Sequence, residues 1–522
     1  MSNPQPRRLA CALLSSLALA GPAHAAPPEG TVVVLTLPEA LELATRQAFA
    51  VRGARLSRED ARAQVRGAFA SVLPQLSGSA TYTRTIEALD PFAGSDAGSA
   101  FAGLDAVQWL QLNEGARTDG DPATNPITLG EFQSRSAAAL IAAGVDVSGE
   151  GNPFLVENGF RFGLSLSQII YDASAFAALD GARAFETAAQ ESLAATRLSA
   201  VQAASRAFYG ALLQKAQLEV IRQSVARAQA NVADVRVRVK AGVLPELQLL
   251  TAEVELANRE TDSLQAEVEL RNVLDELREL VALPPHQRIE VRGELVYEAR
   301  AVPGESEAAA LAFSKRPDLA EAQALAKVSE VAEGNAVGGL FPRLSLNANL
   351  SANGAVPDDR SVVRAAPTAA DPFAVTRDEL GFFDNAYWFP VFDVGLRLEW
   401  NLFDGFGSYA RIDQSRIATR RARLAVAQVE LQIRIEVERS LRALRFAAAQ
   451  VETQERVESL AQRNYAQTET ELREGAATQF DLRQANQQLD ESRFNRLRAI
   501  HDHAVAWVDY QVAVGTPPSP QK

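Results

Sequence analysis

The chain has 522 residues, with 52 Lys and Arg against 65 Asp and Glu and a formal net charge of −13. An acidic balance of this size argues against nucleic acid as a partner, because a phosphate backbone is gripped by basic patches. Cys11 is the single cysteine, so there is no disulfide framework and no cysteine-held metal; past the N-terminal region no run reaches the ~18 apolar residues of a transmembrane helix.

In chain order, residues 1–25 read as a secretory signal: Arg7 and Arg8 form the basic start, Leu9 to Ala20 the apolar run and Ala23-His24-Ala25 the cleavage site. An exported chain without an apolar helix is periplasmic, secreted or a β protein of the outer membrane, and composition leaves all three open. A helix is predicted over 38–71. A strand follows, in which Leu76, Gly78, Ala80 and Tyr82 alternate with serines and threonines. A Gly-, Pro-, Ser- and Asp-rich loop occupies 87–158, with short helices at 104–112 and 131–142. Next comes a second strand, where Phe160, Phe162, Leu164 and Leu166 alternate with Arg161, Gly163, Ser165 and Ser167. A long helix is predicted over 173–241, then a turn at Gly242 and a returning helix over 246–282. A linker, 284–305, carries a strand at 289–296.

The same order then returns. Leu73-Pro74-Gln75-Leu76-Ser77 reappears as Phe341-Pro342-Arg343-Leu344-Ser345, at an offset of 268. Leu164-Ser165-Leu166 and Tyr171-Asp172 reappear as Leu396-Arg397-Leu398 and Phe403-Asp404, at an offset of 232. Repeats of this kind decide architecture before local motifs do. The second copy predicts a helix over 306–338, strands at 344–351 and 394–402 around a loop 353–387, a long helix over 405–474, a turn at Gly475 and a returning helix over 479–514. The domains are therefore a signal (1–25), a first repeat (26–283), a linker (284–305), a second repeat (306–515) and a tail (516–522).

Each long helix would extend ~100 Å at 1.5 Å per residue. Val426, Val429, Ile433, Val437, Leu441 and Leu444 step by threes and fours between charged residues, the seam spacing of coiled coils. The strands alternate an apolar face with one bearing Arg, Glu and Asn. In water that means core and solvent; in an outer-membrane barrel it means lipid and lumen. Aromatic girdles favour the barrel: Tyr171, Trp400 and Phe403 at one end, and Phe382, Phe383, Tyr387, Trp388 and Phe389 at the other. Arg161, Arg397, Glu399 and Asn401 should then face lumen water, and Leu164, Leu166, Leu396 and Leu398 lipid. Four strands do not close a barrel, which needs about eight, so the chain must assemble with copies of itself.

Nothing points to an enzyme. His501 and His503 sit two apart on a predicted helix and diverge. The chain has no Gly-x-Ser-x-Gly elbow and no phosphate loop, and no cofactor or metal is expected.

Leu37-Pro38-Glu39-Ala40-Leu41, the two Leu/Phe-Pro-x-Leu-Ser strand starts and the two glycine turns, in this order and duplicated, resemble the TolC family of outer-membrane efflux proteins. The resemblance implies a mixed α/β membrane protein: a homotrimer with a twelve-stranded β-barrel, four strands per chain, in the outer membrane of a Gram-negative cell. Continuous with it stands a twelve-helix periplasmic α-barrel, closed at its tip and opened by a periplasmic adaptor and an inner-membrane transporter. The family's acidic position six residues past the second glycine is Asp481 here. Its second aspartate is replaced by Gln484, and the first-repeat equivalent of Asp481 is Gln248. The family's closing tyrosine and arginine correspond to Leu472 and Ala477, so that latch is missing. The charges near the turns that could replace it are Arg236, Arg238, Lys240, Arg473 and Glu474. The function implied is an export channel-tunnel for small molecules or proteins. The alternative is a periplasmic coiled-coil adaptor or structural protein without a pore of its own.

Overall fold

The computed structural model describes residues 32–87, 97–120, 125–145, 156–368 and 371–518; the predicted signal, 1–25, lies outside them. The described residues form, in order, β1 (Val32–Leu35), α1 (Leu37–Gln47), α2 (Phe49–Val72), β2 (Gln75–Arg84), α3 (Ala97–Thr118), α4 (Leu129–Ala142), β3 (Asn158–Tyr171), α5 (Ala173–Lys240), α6 (Glu246–Leu280), β4 (Arg288–Val291), α7 (Glu305–Lys315), α8 (Pro317–Gly338), β5 (Arg343–Val356), β6 (Ser361–Ala365), β7 (Val375–Glu379), β8 (Trp388–Glu399), α9 (Gly407–Glu474) and α10 (Gln479–Ala513). Both long helices, α5 and α9, have 68 residues.

Three expectations change. Each opening helix is two helices, broken at Ala48 and Arg316, which are equivalent positions and both leave the helical region, with ψ of 134° and 119°. Pro317 accounts for the second break, since a proline pushes the residue before it out of the helical region; Ala48 makes the same break without one. The final strand ends at Glu399, so Trp400, Asn401 and Leu402 lie beyond it. The linker strand is only Arg288–Val291, and it pairs in parallel with β1, a strand too short to show alternation in the sequence.

The chain forms two compact units. The first comprises residues up to 64, 181–330 and 417 onward. Its two main clusters mirror each other. Ala40 and Ala44 of α1, Val201 and Leu212 of α5, and Leu277 and Val281 make one; Ala308 and Ala312 of α7, Ile433 and Leu444 of α9, and Tyr510 and Val514 make the other. These are the repeat equivalents pair by pair, all buried. Alanines on the short helices let the long helices approach closely. The linker crosses these helices: Lys215 Nζ donates to the Val291 carbonyl at 2.9 Å, and the Arg300 guanidinium lies 4.7 Å from the Trp507 ring.

The second unit comprises 65–180 and 331–416. Its sheet has the order β2-β3-β5-β8, every neighbour antiparallel. The predicted loop helices appear as α3 and α4. Trp109 Nε1 and Asn113 Nδ2 both donate to the Ile127 carbonyl, at 2.7 and 2.9 Å, and hold the connection between them. The second loop contributes the β6–β7 hairpin, whose Arg377 donates to the carbonyls of Ala143 and Gly144 at the end of α4. The repeated pair Tyr171-Asp172 and Phe403-Asp404 now has a cause. Asp172 accepts from the Ser174 and Ala175 amides, and Asp404 from the Ser408 amide and hydroxyl, so each aspartate caps the N-terminus of a long helix.

Candidate functional site

At the turns of the first unit, Gly242 and Gly475 take φ of +76° and +78°, the left-handed conformation that a glycine adopts without a Cβ penalty. The bonds Val243 N to Arg238 O (2.9 Å) and Ala476 N to Glu471 O (2.8 Å) close both helices in the same way. Beyond the second turn, Asp481 and Thr478 form a reciprocal cap. Asp481 Oδ2 accepts from the Thr478 hydroxyl at 2.6 Å and amide at 2.8 Å, while Thr478 Oγ1 accepts from the Asp481 amide at 3.2 Å. The Thr478 hydroxyl and then its amide hold the exposed Asp481 carboxyl below its usual pKa. In the first copy Pro245 replaces the threonine and Gln248 the aspartate, so no such exchange forms. Gln248 Oε1 is buried without a hydrogen-bond partner within the described residues. Gln484 is exposed on α10.

The charges near the turns are committed locally. Arg236 pairs with Glu253 across the α5–α6 hairpin (2.8 Å), Arg238 with Asp234 (2.9 Å) and Arg473 with Glu469 (2.7 Å). Lys240 and Glu474 are exposed and make no ion pair among the described residues. Surface pairs of this kind contribute about 0–1 kcal/mol. Sequence reasoning missed a deeper cluster joining the two repeats. Asp490 of α10, 4% exposed, pairs with Arg227 of α5 and accepts from Ser224 Oγ at 2.8 Å; Arg227 Nε donates to Asn486 Oδ1 at 2.8 Å. Its members come from positions 224 to 490, and no spacing rule links them. Beside it lies a cavity of about 370 Å³ reaching Gln248, Glu255 and Tyr465. His503 is a core residue: its ring meets Tyr297 edge-on at 4.9 Å, and burial, then Arg300, lower its pKa.

In the second unit the sheet has two distinct faces. Leu76, Leu166, Ala348 and Val394 lie in one cross-strand row, and Gly78, Leu164, Leu350 and Phe392 in the next. This apolar face is open: Leu76, Phe392, Leu396 and Leu398 are 66–71% exposed. A contiguous exposed apolar surface spread over four strands needs a nonaqueous or protein partner. The opposite face carries Ser77, Ser165, Asn349, Asp393, Arg161 and Arg397. Ser77 and Ser165 hydroxyls bond at 2.7 Å, and Asn349 Nδ2 donates to Asp393 Oδ2 at 2.8 Å. Glu399 ends its strand on this face, opposite Arg343.

The aromatic residues sort by face. Trp388 stacks on Phe160 and Phe162 at the loop end of the apolar face and donates Nε1–H to the Phe382 carbonyl at 2.7 Å. Tyr171, Trp400 and Phe403 at the other end are all exposed. Phe389 and Tyr387 correct the expected girdle, Phe389 by standing on the polar face opposite Asn353 and Tyr387 by its burial. Tyr387 is 8% exposed with its hydroxyl on the Arg360 carbonyl at 3.1 Å, so it packs the loop and presents no surface ring.

A family model described as outer membrane efflux protein matches residues 156–283 and 309–516, one segment in each repeat. The chain belongs to that family. It is a TolC-family outer-membrane efflux protein with a mixed helix and strand fold, as the duplicated order of motifs indicated. No curated protein sequence matches the chain. Among solved structures, the outer membrane protein VceC of Vibrio cholerae aligns with a TM-score of 0.67 at 14% identity, covering 92% of this chain and 96% of that one. The CmeC outer membrane channel of Campylobacter jejuni gives 0.66 at 16%, covering 92% and 85%. The open-state MtrE outer membrane channel of Neisseria gonorrhoeae gives 0.64 at 13%, covering 92% and 89%. At these identities the likeness is one of fold. Family proteins are transport proteins, and among the described residues no cluster of His, Cys, Asp and Glu is arranged to hold a metal. Nor is any described helix long and apolar enough to cross a membrane.

Proposed function

We propose that three copies of the chain close a twelve-stranded barrel in the outer membrane and continue as twelve helices into the periplasm, forming an export duct. The observation that carries this reading is the sheet of the second unit. Its apolar face is exposed, and its edge strands, β2 and β8, each have an outer side without a strand partner among the described residues. The edge strands run in opposite directions, so β8 of one copy pairs antiparallel with β2 of the next, and the ring closes without a parallel joint. Closure removes the free edges, which are otherwise a liability, and leaves the apolar face to lipid and the polar face to a water-filled lumen. Helices of 68 residues, ~100 Å long, have the reach to cross a wide periplasmic space.

In this reading each structural repeat supplies two strands and one helical hairpin, and the linker joins them. The glycine turns form the periplasmic tip, where Asp481 from three copies surrounds the axis, with Gln484 and Gln248 near it. A periplasmic adaptor and an inner-membrane transporter open the tip and deliver cargo, small molecules or proteins. The deciding experiment is extraction. The protein should appear in the outer-membrane fraction, and its detergent-solubilised mass should be that of three chains. Recovery as a soluble monomer would return the coiled-coil adaptor reading.

A further inference from the structure

The polar face of the sheet departs from its pattern at one place. Cross-strand pairing puts Thr81, Arg161, Asn353 and Phe389 opposite one another on β2, β3, β5 and β8. Two hydrogen bonds fix which face they share. Arg161 Nε donates to Asn353 Oδ1 at 3.1 Å, and the Asn349–Asp393 bond puts the odd-numbered residues of β8 on the same side. Phe389 and Val391 therefore stand on the polar face, 55% and 48% exposed, while their neighbour Trp388 stacks on the other side. Over half of Phe389 is open, and Arg161 makes no ion pair with a carboxylate among the described residues.

An open ring beside an uncommitted guanidinium is a two-part recognition surface. The apolar part takes an aryl or alkyl group, and the planar fork takes a carboxylate or sulfonate. Asn353 occupies Nε and leaves both terminal nitrogens of Arg161 for such an anion. The two parts lie two strands apart, ~10 Å, comparable to the length of a small arene bearing an anionic group. The rest of this face carries Ser, Thr and Asn with the charged Asp393, Arg397 and Glu399, and Phe389 is the one aromatic ring in its cross-strand rows among the described residues, so the feature is local.

We infer that Arg161, Asn353 and Phe389 form a subsite for aromatic organic anions on the wall of the duct. The inference rests on the channel reading above, under which three copies put three such subsites at one level of the lumen. It names a class of cargo or blocker the sheet would hold, independent of the charge at the helical tip.

The test uses the full-length protein in planar bilayers with 1-naphthalenesulfonate as probe. The probe should reduce single-channel current in a concentration-dependent way, and neutral 1-naphthalenemethanol should block far more weakly. Arg161→Gln should weaken the sulfonate block about tenfold, the effect of losing a charge-assisted hydrogen bond. Phe389→Ser should weaken it severalfold, the effect of losing an aromatic contact. Potassium chloride conductance of each variant shows that it has folded and inserted. Channels whose sulfonate block is the same in wild type and both variants overturn the subsite alone. Failure of the wild-type protein to form channels overturns the channel reading, and the subsite with it.

Discussion

Asp481 does two things that a single carboxylate can combine. Oδ2 takes both hydrogen bonds from Thr478 and fixes the first turn of α10, while the residue remains exposed. The Thr478 hydroxyl and amide lower its pKa below the ordinary 3.8. A lowered carboxylate pKa means that the cap is present above the ordinary value and is lost as pH falls through the lowered one. A carbon-detected titration of Asp481 should therefore have its midpoint below 3.8; a midpoint at or above it would remove the cap from the account. Asp481→Asn should speed amide exchange in the first turn of α10 and reduce the cation preference of the channel. Faster exchange with unchanged selectivity would leave Asp481 as a cap alone. Asp481 and the glycine turn before it were legible in the sequence, whereas the exchange of Asp481 with Thr478 came only from the structure. The Arg227–Asp490 pair was not legible either, because its two halves meet only through the packing of α5 on α10.

Helices and strands differ in what holds them. The α5–α10 contact has a charged centre: Asp490 is almost fully buried, and Arg227 and Ser224 are its partners. Removing one member of such a pair leaves the other charge without compensation, at about 3–5 kcal/mol. Arg227→Met should therefore destabilise the helical unit by roughly this amount in urea unfolding, and Arg227→Met with Asp490→Leu should recover most of it. If the double variant is as unstable as the single, the cost lies in packing and not in charge. In the sheet, depth matters as much as face. Leu398 lies on the apolar face but one residue from the end of β8, whereas Val394 on the same face is central. Val394→Arg should cost about 2–4 kcal/mol and Leu398→Arg about 0–1. Asn347→Arg, on the opposite face, should cost less than Val394→Arg. Equal costs at 394 and 347 would mean that neither face meets lipid.

The molecule as a whole was the most legible level. Two copies of helix, strand, strand, long helix and helix could be read from recurring residues, and their cores align pair by pair, as Leu277 with Tyr510 and Val281 with Val514. What escaped the sequence was β1, too brief to show a period, the hairpin β6–β7, and the paired helix breaks at Ala48 and Arg316, of which a proline marks only the second. Trimer formation is the prediction that belongs to this scale. Light scattering of the detergent complex, corrected for bound detergent, should give three chains, and two would leave a sheet of eight strands in its place.

Joining the two copies in one polypeptide has a consequence for how the assembly can vary. Six separate half-chains would have to carry the same residue at all six places around the axis. In the proposed trimer of fused chains, alternate places are free to differ, giving three-fold chemistry on a nearly six-fold frame. The glycine turns show that freedom: Thr478 and Asp481 exchange hydrogen bonds in one half, while Pro245 and Gln248 in the other do not. The loops use it as well, since α3 and α4 belong to the first half and the shorter β6–β7 hairpin to the second. Transplanting the cap, as Pro245→Thr with Gln248→Asp, would restore the symmetry that the duplication released. It should double the carboxylates near the tip and raise cation preference above that of the parent channel.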